Sequence, residues 1–124
     1  MKLFQLITAR RLFSTKVDKK LPSGVAYKIM KFLKASDDEE AFYNKQLLSI
    51  LEKYGVKDFD GKLKVVNGKI NTLPDKTKVC QEEINELELT DVNAPSAFIT
   101  ISELEPFDFS IAEMAVLDDF IIEK

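Results

Sequence analysis

The chain contains no histidine and no tryptophan, a single cysteine (Cys80), four glycines and four prolines. Without histidine, the common zinc donor sets and the Ser–His and Cys–His nucleophile pairs are excluded. One cysteine excludes an internal disulfide and fits a reducing compartment or a thiol with no redox task. So few glycines and prolines exclude collagen-like and low-complexity chains, and a 45% hydrophobic content excludes wholesale disorder. No apolar run approaches the roughly 18–20 residues that span a bilayer. Gly-rich phosphate loops, the G-x-S-x-G elbow and the kinase signatures are missing as well. At 124 residues, what is left is room for one domain around one core.

The 18 basic and 21 acidic residues leave a net charge of −3, but they are unevenly placed. Residues 1–34 hold nine basic side chains against Asp18 alone, whereas residues 35–124 hold nine basic and 20 acidic ones. Such polarity can steer association with a charged surface or draw the two segments together across the fold. Solvated faces of ordinary helices are the plainer reading. Nucleic acid is not an expected partner, because the acidic body repels phosphates, and no membrane partner is expected either. Residues 1–17 lack acids and carry Arg10, Arg11, Ser14 and Thr15, as a mitochondrial transit peptide would. At helical spacing, however, both arginines project among Leu3, Phe4 and Ile7 rather than opposite them. A structural helix over 3–14 is therefore preferred, and a small mitochondrial protein with a transit peptide stays as an alternative. The same arginines interrupt the apolar stretch that a secretory signal needs.

Along the chain, residues 1–21 read as that first helix and a polar linker. From Pro22, apolar residues Val25, Ala26, Ile29, Met30, Phe32 and Leu33 recur at helical spacing with Lys28, Lys31 and Lys34 between them. Ser36 and Glu39 have capping-box spacing, so a new helix could begin there. The preferred reading is nonetheless one long helix over 22–55, bent near Ser36, whose stripe Tyr43, Leu47, Ile50, Leu51, Tyr54 ends at Gly55 as a C-terminal glycine would end it. Asn67-Gly68 predicts a type I′ turn and hence a β-hairpin over 62–73. Leu73-Pro74-Asp75 opens a helix over 75–89 with Val79, Cys80, Ile84 and Leu87 inward; 87–92 reads as its frayed end or a short strand. Residues 97–101 (AFITI) read as a strand by their β-branched and aromatic content. Ser110 and Glu113 form a second capping box, opening a C-terminal helix over 110–122 with Ile111, Met114, Leu117 and Ile121 on one face, widened by Val116 and Phe120. The expected fold is a single α+β domain, predominantly helical. It comprises a helical hairpin or long bent helix, a small β-hairpin or short sheet, and a C-terminal helix.

Few groupings could carry chemistry. With Gly61 at the sixth position of a calcium loop, Asp58 and Asp60 take the third and fifth, but Val56 and Asn67 stand where carboxylates are required. The two aspartates are better read as turn formers bonding nearby backbone N–H groups. Asp37, Asp38, Glu39 and Glu40 complement a helix N-terminus more readily than they hold a metal, only Asp37 and Glu40 sharing a face. Cys80 borders an apolar stripe with no histidine to activate it, so a buried inert thiol is expected. Phe32, Phe42, Tyr43, Phe59, Phe98, Phe107, Phe109 and Phe120 are core candidates. Phe107 and Phe109, flanking Asp108 ahead of a cap, form either a hydrophobic staple or an aromatic anchor for a partner.

The stretches LPSGVAYKIMKFLK (21–34), LLSILEKYGVKDFDGKLKVVNGKI (47–70), EEINELELTDV (82–92) and ISELEPFDFSIAEMAVLDDFI (101–121) resemble, in content and order, an uncharacterised family of short phage and prophage proteins. Glu52-Lys53-Tyr54-Gly55, Lys57-Asp58 and the Asp60-Gly61 turn are the most specific part. The resemblance implies a viral origin, with a location in the host cytoplasm or the virion, and brings no catalytic residues with it.

These readings converge on a non-enzymatic, phage-encoded accessory protein acting through protein–protein contacts, as a virion component or assembly factor. No catalytic, cofactor-binding or metal-binding residue is expected. The partner is a copy of itself, making a homo-oligomer, or a phage structural or assembly protein. The expected contact surface is the apolar face of Phe107, Phe109, Met114, Leu117, Phe120 and Ile121, with Asp37, Asp38 and Glu40 on an acidic surface. One alternative is an inhibitor of a host defence or metabolic protein, using those acids against a basic target. Another is a small hydrolase built on carboxylates and a metal.

Overall fold

Among the described residues, six helices and one two-stranded antiparallel sheet make a predominantly helical α+β fold. The computed structural model describes residues 1–15, 20–93 and 95–122. Helix α1 (Leu3–Ser14) runs where the sequence predicts it and acts as the spine. Its Leu6, Ala9 and Phe13 join Val25, Ile29, Phe32, Ile99, Leu104, Phe107, Leu117 and Phe120 in one apolar cluster. Leu3 and Ile7, turned the other way, join Tyr43, Ile50, Cys80 and Leu87 in a second. A helix buried on two sides shows little one-sided amphipathicity, which is why arginine sits among its apolar residues. Its start is stitched to residues 90–92: the Leu3 N–H donates to the Thr90 C=O (2.8 Å), the Val92 N–H to the Met1 C=O (2.9 Å), and Lys2 pairs with Asp91 (2.7 Å).

The single helix expected over 22–55 is two helices, α2 (Ser23–Ala35) and α3 (Asp37–Tyr54), hinged on Ser36 alone. Ser36 has φ −110° and ψ 9°, and its hydroxyl donates back to the Phe32 C=O (2.8 Å) instead of capping α3. The Ser36–Glu39 capping box is therefore not formed. What holds the hinge is Arg10 of α1, only 7% exposed. Its guanidinium donates to the Leu33 C=O, the Ser36 Oγ (2.7 Å), Asp37 (2.9 Å) and Glu40 (2.6 Å). A planar cation with five fixed donors satisfies the C-terminal carbonyl of one helix and the first-turn carboxylates of the next together, and a lysine would not span them.

Helices α3 and α4 (Thr77–Glu88, inside the expected 75–89) pack on one another more than any other pair. Helix α3 stops at Gly55, but not through a left-handed cap: Gly55 is extended, with φ −76° and ψ 151°. Glycine is needed there for closeness, because a Cβ would lie 2.5 Å from the Leu51 carbonyl oxygen and 2.7 Å from Leu63 Cδ2.

Between the two helices, residues 55–76 form an arm. Strands β1 (Val65–Val66) and β2 (Lys69–Ile70) pair Val65 with Ile70 and Val66 with Lys69. Asn67 (φ 52°) and Gly68 (φ 75°) supply the positive φ angles of the expected turn. The regular ladder is shorter than the predicted 62–73, because residues 54–58 wedge between the two arms of the hairpin. The Val56 N–H donates to the Asn71 C=O (2.7 Å), the Lys64 N–H to the Val56 C=O (2.8 Å) and the Asp58 N–H to the Lys62 C=O (2.7 Å).

The strand expected at 97–101 is a correction. Ile99 makes only an isolated parallel bridge to Ile121, and from Ile101 the chain is helical (α5, Ile101–Leu104). Thr100 and Glu103 form a full capping box, whose pull on the backbone outweighs the β-branched content before it. A 3-10 turn (Glu105–Phe107) and left-handed Asp108 lead to the predicted Ser110–Glu113 box, which opens α6 (Ile111–Leu117). The C-terminal helix is shorter than 110–122: a 3-10 turn (Asp118–Phe120) follows, and Ile121 and Ile122 leave it to meet Ile99, the Ile122 N–H donating to the Ile99 C=O (2.8 Å).

Candidate functional site

The apolar face expected to dock a partner is largely inside the protein. Phe107, Leu117 and Phe120 are buried in the core, and Phe109, Met114 and Ile121 are half-buried against the same cluster. Phe109 stacks on Phe107 (ring centroids 5.2 Å apart, 9° between planes), and both meet the edge of Phe13. Phe32 stacks on Phe98 and meets Phe120 edge-on. An aromatic cluster of this geometry gains quadrupole attraction beyond area burial, and α1 and α2 pack against it. Phe42 and Phe59, expected in the core, are exposed instead.

The acidic candidates separate in the same way. Asp37 and Glu40 turn their carboxylates onto Arg10, while Asp38 faces solvent. Among the described residues, no three His, Cys, Asp or Glu side chains converge to hold a metal ion. Asp60 serves the local turn, accepting from the Lys62 N–H (3.2 Å). The Cys80 thiol is buried, and burial, with Glu83 adding repulsion, pushes its pKa up. A groove between α3 and α4 carries the Lys53–Glu83 pair (2.6 Å); hydrogen bonds from Lys53, then Tyr54, hold the Glu83 carboxyl below its usual range. No helix among the described residues is long and apolar enough to cross a membrane.

Exposed apolar side chains occur at several places among the described residues, Tyr27, Leu89, Ile101 and Ile111 among them, and the arm is where they fall on a long connection that adds to neither apolar cluster. Two packed antiparallel helices need only about 2–8 residues to join them. Here 22 residues, 55–76, intervene between Tyr54 and Thr77. Among the described residues neither apolar cluster takes a side chain from this stretch. Phe59 is 106% exposed, and Val65, Val66 and Leu73 are exposed as well. Lys57, Lys62, Lys64, Lys69 and Lys76 face only Asp58, Asp60 and Asp75 in sequence, so the arm is positive on an acidic molecule. None of the ion pairs among the described residues uses an arm lysine. The turn dipeptides predict a hairpin here; the length of the connection relative to the helices it joins is equally legible in the sequence. Comparison with family models, with curated proteins and with solved structures finds no match to this chain.

Proposed function

We propose that the chain is a non-enzymatic, phage-encoded accessory protein that works by protein–protein contact, and that residues 55–76 make the contact with a virion or assembly component. The observation that carries this reading is a 22-residue excursion whose backbone is ordered by its own hydrogen bonds while its apolar side chains stay outside both clusters. Ordering a segment has an entropic cost of roughly 1–2 kcal/mol per residue, and no core burial offsets that cost here. The class of partner is taken from the resemblance of the sequence blocks to short phage proteins. The surface first expected, on the C-terminal helix, has given way to the arm because Phe107, Leu117 and Phe120 are buried.

The arm can be removed cleanly. The Leu73 N–H donates to the Tyr54 C=O (2.8 Å), so its two ends already meet. A chain in which a loop of about three residues replaces 56–72 is expected to keep its helical circular dichroism. The full chain, used as bait in phage-producing cells, is expected to capture one phage structural or assembly protein that the shortened chain loses. Equal capture by both chains, or capture of nothing, overturns the reading; capture of a host enzyme moves it to the inhibitor class.

A further inference from the structure

We infer that the outer edge of residues 62–66 receives an extended, acidic segment of the partner as an added β-strand, an inference that rests on the arm being the contact element. Val66 and Lys69 flank the two-residue turn and form the hydrogen-bonded pair, so the N–H and C=O of Val65 point away from β2. On the same arm the Lys64 N–H and the Lys62 C=O are taken by Val56 and Asp58, which leaves the groups of Leu63 pointing outward too. Two alternate residues, Leu63 and Val65, provide four outward-facing backbone groups in strand register, the pattern on which an incoming strand forms its ladder.

Charge selects the occupant. Side chains alternate across a strand, so Lys62 and Lys64 lie on one face and Leu63 and Val65 on the other. An added strand sets its own alternate residues beside these two rows. The matching sequence alternates acidic and apolar residues, since opposite charges on neighbouring strands attract and like charges repel. A second copy of this edge is disfavoured for the same reason: antiparallel pairing with itself crowds both pairs of lysines onto one face. A polyanion such as single-stranded nucleic acid would meet the lysines but leave the outward N–H and C=O groups unused.

The test is fluorescence anisotropy with the whole protein and labelled octapeptides. The probes are alternating Glu–Val, the same peptide N-methylated at every residue of one pairing edge, and alternating Lys–Val, with a dT oligonucleotide alongside. The Glu–Val peptide is expected to bind at low salt, about tenfold more tightly than either peptide control, and to weaken about tenfold in the Lys62→Glu/Lys64→Glu double variant. Both substitutions are on the surface, and circular dichroism will show whether the fold is kept. Absence of binding at millimolar peptide, equal binding of the N-methylated or Lys–Val peptide, indifference to the double variant, or tighter binding of the oligonucleotide overturns the inference. A captured partner that is lost on removal of 56–72 but kept by the double variant sinks the acidic strand and spares the arm. A partner kept after removal of 56–72 sinks both.

Discussion

Replacing Arg10 by alanine is the sharpest test of how the helices are assembled. The guanidinium is buried and serves four acceptors, but these do not count equally. The Asp37 and Glu40 side chains are 64% and 40% exposed, so each regains water when Arg10 is removed, and each pair is worth about 0–1 kcal/mol. The buried Ser36 hydroxyl and the part-buried Leu33 carbonyl each lose a charged donor, at roughly 1.5 kcal/mol each. Arg10→Ala should therefore destabilise by about 3 kcal/mol, a large share of the roughly 5–15 kcal/mol of a domain this size, lowering Tm by about 10 °C. Asp37→Asn and Glu40→Gln should each stay within about 1 kcal/mol of the parent, with Ser36→Ala in between. Urea denaturation at constant m-value measures the series. If Arg10→Ala is no worse than Asp37→Asn, the cation acts through exposed carboxylates only, and the hinge account is wrong.

Gly55→Ala places a Cβ against the Leu51 carbonyl and the Leu63 side chain, and should destabilise by about 2 kcal/mol or loosen the arm; retained stability together with unchanged amide exchange at Val56 and Lys64 would refute the close-approach argument. Cys80, buried and with its pKa raised mainly by desolvation, should react with a disulfide reagent only through opening, and the rate should climb with urea below the unfolding midpoint; rapid labelling of the native protein would contradict its packing. The Glu103 carboxyl is held below its usual range, first by the Thr100 backbone N–H and then by Lys28. A depressed folded pKa means that its contribution is complete above the ordinary glutamate value of about 4.3 and is lost as pH falls through the folded value. Glu103→Gln should accordingly shallow the acid limb of a stability–pH curve and leave its neutral plateau nearly level, and an unaltered acid limb would count against the pairing.

Where the causes are local, sequence and structure agree. Helix 3–14, the Asn67-Gly68 turn and the Ser110–Glu113 box each follow from residues within a turn or two of one another. Thr100–Glu103 was equally local, but the β-branched run before it masked the cap. The misread elements have distant causes. Ala35-Ser36-Asp37 can continue a helix as well as break one, and the break is stabilised by an arginine 26 residues away. The phenylalanines near the C-terminus carry the same pattern whether their own chain or a partner covers them; the burial by α1 and α2 settles which. Gly55 looked like a helix cap and is a contact point for residues met only after the arm has folded back.

Residue order thus dictated backbone preferences, the helical and β periods, and the caps and turns that punctuate them, because those energies act within a few bonds or one helical turn. The choice of hinge at Ser36, the burial of Phe107, Leu117 and Phe120 in the core, and the exclusion of 55–76 from both apolar clusters came from long-range closure. Burial and a shared guanidinium are properties of segments brought together from far apart, and the local pattern is compatible with either outcome until they meet.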